Sequence, residues 1–573
     1  MQEYLESDRI HTQKSATFGL TRDVANAEIA QICLLYLLEP GISNLESAEA
    51  IIREYPLAYY ASRCWYYHYK RIAIPSEELH ANIVRLFQRQ DSFGTSIKIY
   101  DPDEDREWTG FVSPIMVASS IYFASFLGLS QVLCSLIDQP GISSASASPT
   151  TCTSTIFALI NFQCGKYGNA LLAASTFGHE KVVQLLLDNG ADVNVRYTSY
   201  GSALHAAALS GSEKVVQLLL DNGANVNAQA GIREGALHAA STNGYGKVVH
   251  LLLENGADVN AKGGEYGNAL QAASRQGHKE LVQLLLDNGA DVNAEGGNLV
   301  LENGADVYTA GGYDGHALQA ASASGYEEVM QLLLDNGANV NAEGGFFCTA
   351  LQAAACLGRV AVVQMLLDAG ADVTIQGGEY GSVVQAAAYS GSETVVQTLL
   401  NAGADVKIQG GRYSSVLQAA ACSGSEAVIQ LLINEGADVN VQGGYYGSAL
   451  HAAVVSDNEN FIAILLKFGA DVNLTSGEYG TALQAAVSGG NERAVRILLD
   501  HGANSNDSGG VFRTVLQMAA FNGTQRMMEL LLDGGADVNM NSVKRGSAYQ
   551  IAVRRENEEM MQLLLDRGAN PNL

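Results

Sequence analysis

Histidine, cysteine and serine are side chains that often catalyse reactions or bind metals, and this chain holds all three. It has 11 His and eight Cys in 573 residues. No two His show the H-E-x-x-H spacing of a zinc-binding helix, and no C-x-x-C pair occurs. The G-x-S-x-G turn that would expose a nucleophilic serine is also absent. The sequence therefore predicts no catalytic residue, no metal site and no cofactor.

These side chains belong to a repeated unit. The stretch LLLDNGADVN at Leu185–Asn194 recurs along the chain, and each copy follows an upstream half of the form G-[NS]-A-L-[QH]-A-A. The Ala or Val at the A-L position marks each unit: Ala170, Ala203, Ala236, Ala269, Ala317, Ala350, Val383, Val416, Ala449, Ala482, Val515 and Ala548. Neighbouring markers are 33 residues apart, except for 48 residues between Ala269 and Ala317. A 33-residue period with two short helices and a turn predicts a stacked solenoid.

One unit is too small to fold alone. The small side chains of Ala203–Ser210 predict a helix that a neighbour can approach closely, and Gly211 can end it in the left-handed conformation. A second helix is predicted over Glu213–Leu220, because apolar residues follow at i, i+3 and i+4. Such a unit cannot bury its own apolar faces, so it is stable only between neighbours.

The unit resembles the ankyrin repeat. The resemblance rests on LHAA at Leu204–Ala207, on Gly178-His179 and on GADVN at Gly190–Asn194, and it extends from about residue 114 to the end. It implies an all-α ankyrin-repeat solenoid of helix-turn-helix units joined by hairpin-like turns. One departure is that the Thr-Pro of the family motif is replaced, although residues such as Ser202 can still cap the helix.

The repeated His have a structural interpretation. His205, His238 and His451 occupy one place of the motif, and Gln fills that place in other units. The resemblance implies that the imidazole ties the backbones of neighbouring units together. We therefore expect a structural role for these His in place of metal binding or catalysis.

The N-terminal region predicts a small helical domain. Helices are expected over residues 23–38, after Pro56 and over residues 77–88, from apolar spacing and Pro positions. The segments Ala27–Leu37 and Tyr55–Lys70 are similar to the helical region that joins a NACHT-type nucleotide-binding module to ankyrin repeats in fungal receptors. No G-x-x-x-x-G-K-[ST] phosphate-binding loop occurs in this chain, so the NTPase itself is missing.

The predicted domain limits follow from these patterns. They are a helical domain at 1–100, an acidic linker at 101–113, a degenerate first repeat at 114–141, an insertion at 142–165, repeats at 166–297, a truncated repeat at 298–312 and repeats at 313–573. Neither part of the insertion fits a repeat. The truncated repeat cannot supply two helices, so we expect the stack to be weakened or kinked there.

Aromatic residues form a row at one place of the repeat. They stand three residues before the marker: Tyr167, Tyr200, Tyr266, Phe347, Tyr380, Tyr413, Tyr446, Tyr479 and Phe512. The resemblance places them at the exposed tip of the turn between repeats. Tyr is common in binding hot spots, so the row is a candidate partner-binding site. The alternative is that each ring packs on the next turn and braces it.

Charge limits the class of partner. The net charge is −27, of which residues 1–100 contribute −2 from 12 acidic and 10 basic residues. Nucleic acid is an unfavourable partner because phosphate binding needs clustered Lys and Arg. We expect a protein partner, with a basic surface as one option, and neither nucleic acid nor membrane binding.

The scattered Cys indicate reduced thiols and a cytoplasmic protein, with the nucleus left open. We expect a monomer. The predicted function is a non-enzymatic scaffold for protein interactions, which binds through the turns and the concave face of the repeats. The alternative is the sensor part of a nucleotide-switched fungal receptor.

Overall fold

The computed structural model describes most of the chain. It covers residues 22–42, 45, 47–101, 106–107, 120–138, 157–197, 201–230, 234–264, 266–296, 315–477, 480–507, 514–522, 524–540 and 546–572. Most of the predicted acidic linker, most of the insertion and the whole truncated repeat lie outside these residues, as do Tyr200, Tyr479 and Phe512. The chain divides into two compact units, 1–259 and 260–573, which are described separately.

The first unit begins with five helices and a short hairpin. The elements are α1 (Arg22–Leu37), α2 (Ala48–Glu54), α3 (Ala58–Tyr69), α4 (Glu77–Gln88), α5 (Gln90–Ile99), β1 (Tyr100–Asp101) and β2 (Arg106–Glu107). Helices α2 and α4 start where Ser47 and Ser76 accept hydrogen bonds from backbone N–H groups of the first turn. Three of the five helices match the predictions, whereas α2 and α5 were not predicted.

Helix pairs fill the rest of the first unit. They are α6 (Ser120–Phe126) with α7 (Ser130–Ile137), then Ala170–Thr176 with Glu180–Asp188, Ala203–Ser210 with Glu213–Asp221, and Ala236–Thr242 with Gly246–Glu254. Two-stranded hairpins precede the last two pairs, with strands Arg196–Tyr197 and Gly201–Ser202, then Gln229–Ala230 and Glu234–Gly235.

The second unit continues the same pattern. Its first helices are Ala269–Gln276, Ala317–Ser324, Ala350–Cys356, Val383–Ser390, Val416–Ser423, Ala449–Val455, Ala482–Gly489, Val515–Asn522 and Ala548–Arg554. Its second helices are Lys279–Asp287, Glu327–Asp335, Val360–Asp368, Glu393–Asn401, Glu426–Asn434, Glu459–Lys467, Glu492–Asp500, Gln525–Asp533 and Glu558–Asp566. Hairpins pair Gln376–Gly377 with Gly381–Ser382 and Thr475–Ser476 with Gly480–Thr481. The predicted solenoid of helix pairs is confirmed, and each repeat is named below after its marker.

The chemistry of one repeat explains its shape. In the Ala203 repeat, the Ser202 hydroxyl accepts a hydrogen bond from the His205 N–H and caps the first helix. Gly211 ends that helix with φ of 72°, a conformation that other residues adopt only with strain. Val215, Val216 and Leu219 of the second helix are buried, so the repeat depends on its neighbours for its core.

A ladder of Asn side chains links successive repeats. The amide of Asn473 donates to the Gly502 carbonyl at 3.3 Å, and its Oδ1 accepts from the Asn504 N–H at 2.7 Å. The same pair of bonds recurs 33 residues later at Asn506, with Gly535 and Asp537 as partners. The final Asn of each GADVN motif therefore satisfies the end of the next second helix, where carbonyl groups lack helical partners.

The Asn ladder is continuous across the join between the Ala269 and Ala317 repeats, and the predicted weakening or kink of the stack there stays a prediction. Asn293 donates to the Gly337 carbonyl at 3.1 Å and accepts from the Asn339 N–H at 2.7 Å, as in an uninterrupted ladder. The Gly296 N–H donates to the Gly315 carbonyl at 2.7 Å. In the next repeat the equivalent bond joins Gly344 and Cys348. The extra residues therefore fall between two positions, Gly296 and Gly315, that are joined by a backbone hydrogen bond.

Part of the predicted insertion at 142–165 belongs to the repeat pattern. The Asn161 amide donates to the Gly190 carbonyl at 3.1 Å, and its Oδ1 accepts from the Asp192 N–H at 2.7 Å. These partners lie 29 and 31 residues further on, which are the offsets of the Asn ladder. Asn161 therefore acts as the last residue of a GADVN motif whose other letters have changed.

Candidate protein-binding surface

Four aromatic residues of the predicted row form one stack in the second unit. Phe347, Tyr380, Tyr413 and Tyr446 come from four successive repeats, and neighbouring ring centroids are 6.5, 6.0 and 6.3 Å apart. The interplanar angles are 6°, 19° and 16°, so the rings are close to parallel. Offset stacking of this kind stabilises aromatic pairs beyond the burial of their area.

The stacked rings are largely buried, which differs from the exposed tip predicted for them. Phe347, Tyr380 and Tyr413 are 4%, 7% and 7% exposed, and Tyr446 is half-buried. Tyr389, from the first helix of the Val383 repeat, covers two of them, at 5.1 Å from Tyr380 and 5.6 Å from Tyr413. This geometry favours the bracing interpretation of these rings. A partner-binding role for the row stays a prediction.

The other described members of the row lie in different surroundings. Tyr167 is half-buried in the first unit, where its ring stacks on Phe126 at 6.0 Å and meets the edge of Phe177 at 5.4 Å. Tyr266 is half-buried in the second unit. The row is therefore one sequence pattern with two different packing arrangements.

The residue one place earlier, four before the marker, is more exposed than its neighbour in the row: Arg412 and Tyr445 are exposed at the tip, whereas Phe346 and Glu379 are half-buried. In a continuous backbone ladder, Glu379 N–H donates to the Phe346 carbonyl at 3.2 Å, Arg412 N–H to Glu379 at 3.0 Å and Tyr445 N–H to Arg412 at 2.8 Å. The Arg412 guanidinium also pairs with the Glu379 carboxylate at 2.8 Å and lies 5.2 Å from the Tyr445 ring centroid. Tyr445 is 61% exposed. This place was not predicted from the sequence, because a different residue type occupies it in each of the four repeats.

Exposed apolar side chains mark the first helices. Tyr389, Val455 and Phe521 stand six residues after their markers and are 37%, 42% and 40% exposed. They alternate with Cys422 and Ser488 at the same place of the intervening repeats. This position was not predicted to be exposed, because its residue type varies from repeat to repeat. The presence of a large side chain in a short Ala-rich helix was the one signal that could have indicated it. Exposed apolar residues grouped on one surface are typical of interaction sites.

An acidic groove of about 700 Å³ continues this surface between the Ala449 and Ala482 repeats. Val455 lines it together with Asp457, Glu459, Glu492 and Arg493. Arg493 is occupied by an ion pair with Glu459 at 3.0 Å. Three carboxylates against one guanidinium leave two net negative charges, so the groove suits a basic side chain.

A chain of contacts links the tip, the ring stack and the helix that carries Val455. Tyr445 meets Tyr446 edge to face at 5.0 Å, and Tyr446 stacks on Tyr413 beside Tyr389. The Cys422 thiol shares hydrogen bonds with Tyr446 and with Ser456, the residue after Val455. We call Tyr389, Tyr445, Val455, Phe521, Asp457, Glu459 and Glu492 the aromatic–acidic surface.

Burial keeps the thiols and phenols of this surface in their neutral forms. Desolvation raises the pKa of Tyr446 to about 12 and also raises the pKa values of Tyr380 and Tyr413. Desolvation likewise raises the pKa of Cys422, against hydrogen bonds that lower it. A thiol of raised pKa is a poor nucleophile, so the chemistry of this surface favours binding.

In the Ala449 repeat, the His of the family motif, His451, has a structural role. His451 is buried, its Nε2–H donates to the Gly480 carbonyl at 3.0 Å, and its Nδ1 lies 2.7 Å from the Ser448 hydroxyl. Among the described residues, no group of three or more His, Cys, Asp or Glu is placed to hold a metal ion. The same residues include no helix that is both long and apolar enough to cross a membrane.

Stacked helix pairs joined by short hairpins define a repeat protein of the solenoid class. Within that class the chain belongs to the ankyrin family. It matches the family described as Ankyrin repeats (3 copies) at residues 124–230, 231–296, 297–377, 384–476, 475–542 and 506–573. These matches cover well over half of the chain, and they confirm the ankyrin resemblance of the repeats.

Two known proteins show what the chain is similar to. The azaphilone pigments biosynthesis cluster protein L of Monascus ruber is 44% identical over 198 residues, which are 34% of this chain and 40% of that protein. The matched region thus spans less than half the length of this relative. The ankyrin repeat domain of human ASB11, known from a crystal structure, is 28% identical, with a TM-score of 0.35 over 41% of this chain and 98% of that domain.

Proposed function

We propose that the chain is a non-enzymatic protein-interaction scaffold whose partner binds the aromatic–acidic surface. One observation carries the proposal: the exposed ring of Tyr445, the exposed apolar residues and the acidic groove all belong to successive repeats of the second unit. Ankyrin repeats as a family support protein binding, and the turns and first helices that form this surface correspond to the turns and concave face predicted above.

The chemistry of the surface defines the kind of partner. Tyr389, Val455 and Phe521 offer apolar area, whereas Asp457, Glu459 and Glu492 attract cations. A segment that carries Lys or Arg between apolar residues would fill both parts. Tyr445 adds a cation–π site, since its exposed ring already lies near Arg412.

An affinity capture with the full chain as bait tests this proposal. The bait is compared with a variant that carries Tyr445→Ala and Glu492→Gln, and with a control that carries Tyr326→Ala and Glu393→Gln. Tyr326 is an exposed ring away from this surface, and Glu393 begins the second helix of the Val383 repeat as Glu492 begins that of the Ala482 repeat. We expect a captured protein that the surface variant loses and the control retains. Equal capture by all three baits would contradict the proposed surface.

The receptor hypothesis uses the same surface. If the chain is the sensor part of a NACHT-type receptor, the partner bound here would control an NTPase encoded upstream. A phosphate-binding loop in frame upstream of residue 1 would favour this second function.

A further inference from the structure

The helical region of the first unit contains a cleft that the repeats do not explain. It has a volume of about 550 Å³ and lies among α3, α4, α5 and α6. This volume is within the roughly 300–1,000 Å³ range of small-molecule sites in proteins. The cleft shares no residue with the aromatic–acidic surface, so the two sites are independent.

Aromatic rings form the floor of the cleft. Trp65 meets Phe87 at 6.3 Å, Phe87 meets Phe93 at 4.9 Å and Phe93 meets Phe123 at 5.6 Å between ring centroids. All four side chains are buried to 95% or more. Two of these contacts are edge to face and the contact between Phe87 and Phe93 is tilted, so the rings form a packed apolar wall that would bind the flat body of an aromatic or conjugated molecule.

Cations surround the opening. Arg63, Lys70 and Arg71 line the cleft and are exposed, and the helix and turn from residue 58 to residue 71 contain no Asp or Glu. Arg71 lies 3.3 Å from the Tyr67 ring centroid, and Lys70 lies 5.7 Å from that of Tyr66. Among the described residues, neither Lys70 nor Arg71 has a carboxylate partner. This cationic cluster stands out in a chain with a net charge of −27.

A buried hydroxyl in the cleft lacks a partner. Ser62 lines the cleft and is 7% exposed, yet its Oγ forms no hydrogen bond with any described residue. An unpaired buried polar group costs about 1–3 kcal/mol, so a ligand atom that bonds to it gains affinity. The neighbouring Tyr66 hydroxyl is already used, because it donates to the Leu127 carbonyl at 2.6 Å.

We propose that this cleft binds a small molecule with a flat aromatic or conjugated body and one anionic group. The body packs against Trp65, Phe87, Phe93 and Phe123, and the anionic group meets Lys70 and Arg71 at the opening. A polar atom on the body bonds to the Ser62 hydroxyl. Each part of the ligand thus corresponds to an observed feature: the apolar floor, the unpaired cations and the unpartnered hydroxyl.

Two fluorescent probes test the proposal on the full chain. 8-Anilinonaphthalene-1-sulfonate carries an anionic group on an aromatic body, and N-phenyl-1-naphthylamine has the same rings without the sulfonate. We expect calorimetry to show one saturable site for the sulfonate. The double variant Lys70→Gln, Arg71→Gln should bind the sulfonate about tenfold more weakly and the neutral probe as before.

Matched variants distinguish the cleft from general electrostatics. Arg53→Gln with Arg85→Gln removes the same charge from exposed residues of α2 and α4 that do not line the cleft, and should leave sulfonate binding unchanged. Ile97→Trp should fill the cleft and abolish binding of both probes, with circular dichroism as the folding control. The proposal is overturned if the sulfonate shows no saturable binding to the full chain, or if both double variants weaken it equally.

Discussion

His and Gln at the motif place of the first helix perform the same task. The His451 Nε2–H donates to the Gly480 carbonyl at 3.0 Å, and the Gln517 amide donates to the Gly546 carbonyl at 2.7 Å. Each of these two carbonyls lies two residues before the next marker, so both bonds join one repeat to the next. At these two positions the imidazole and the amide act as equivalent hydrogen-bond donors, which is consistent with the presence of both residue types at this place.

The buried His451 predicts a pH-dependent stability. Desolvation lowers the pKa of His451 below its usual value of about 6.5, despite the opposing hydrogen bond to Gly480. The imidazole therefore binds a proton more readily in the unfolded state than in the folded state. The unfolding free energy keeps its full value above about pH 6.5 and decreases as the pH drops below about 6.5. We expect urea midpoints at pH 7.5 and 5.5 to differ less for His451→Gln than for the parent chain. Identical pH dependence of the two proteins would contradict this role of His451.

The stacked ring of Tyr413 predicts a loss of stability when it is removed. Tyr413→Ala deletes a 7% exposed ring and both of its stacking contacts, which should lower the unfolding free energy by about 3 kcal/mol. Tyr445→Ala removes a ring that is 61% exposed and should cost less than about 0.5 kcal/mol. Thermal unfolding of both variants gives the comparison. Similar melting temperatures for the two variants would contradict the bracing role of Tyr413 and favour an exposed ring instead.

The row of rings was predictable from the sequence in its spacing but not in its exposure to solvent. The spacing of Tyr380 and Tyr413 predicted one ring per repeat, and the stack confirms that regularity. Their burial was not predictable from the row itself, since it depends on Tyr389 from a different element. The exposure of a ring depends on the side chains that pack around it, and the repeat period alone does not specify those side chains.

At the scale of elements, the ring stack spans the two junctions at which the Asn ladder is interrupted, and it continues to one junction at which Asn440 keeps the ladder bonds. Thr374 and Lys407 occupy the ladder place in the Ala350 and Val383 repeats, and neither side chain forms the bond to the next repeat. The rings of Phe347, Tyr380 and Tyr413 stack across those same junctions. The stack thus supplies contacts between repeats where the ladder bonds are missing.

Restoring one ladder residue should stabilise the array. Thr374→Asn allows the side chain to donate to the Gly403 carbonyl and accept from the Asp405 N–H, at the 29 and 31 offsets seen elsewhere. We expect a gain of about 1 kcal/mol, measured by urea unfolding. Asn473→Ala, which removes existing bonds to Gly502 and Asn504, is the opposite change and should destabilise. A destabilised Thr374→Asn variant would count against the ladder as a general source of stability.

The join gives a second prediction at this scale. Deletion of residues 298–312 would leave three residues between Gly296 and Gly315, which share a backbone hydrogen bond, and three residues also separate Gly344 from Cys348. We expect the deletion to leave the melting temperature of the second unit unchanged within about 2 °C, since no bond between the flanking repeats is lost. A large drop would show that the inserted residues support the stack.

The sequence predicted the repeat elements well because their period and caps are local. At the join, the count of added residues did not reveal that the Asn293 bonds to the next repeat persist. Asn161 was missed for a related reason: its two bonds identify it as a ladder residue, although the letters around it no longer resemble GADVN.

At the scale of the whole molecule, the two candidate sites differ in how much of each could be predicted from the sequence. Partner binding followed from the repeat family and from the acidic charge. The cleft could not be foreseen, because Trp65, Phe87 and Phe123 come from three helices that are separated along the chain. The apolar residues of those helices predicted a packed core, and only their arrangement in space leaves a cleft.

The affinity of the purified chain for its captured partner tests the central claim most directly. The surface variant, Tyr445→Ala with Glu492→Gln, should bind that partner at least about 30-fold more weakly, because exposed hot-spot rings typically contribute about 2 kcal/mol or more. Its melting temperature should match that of the parent chain, and the control, Tyr326→Ala with Glu393→Gln, should retain full affinity. An unchanged dissociation constant for the surface variant would contradict the assignment of the aromatic–acidic surface as the binding site.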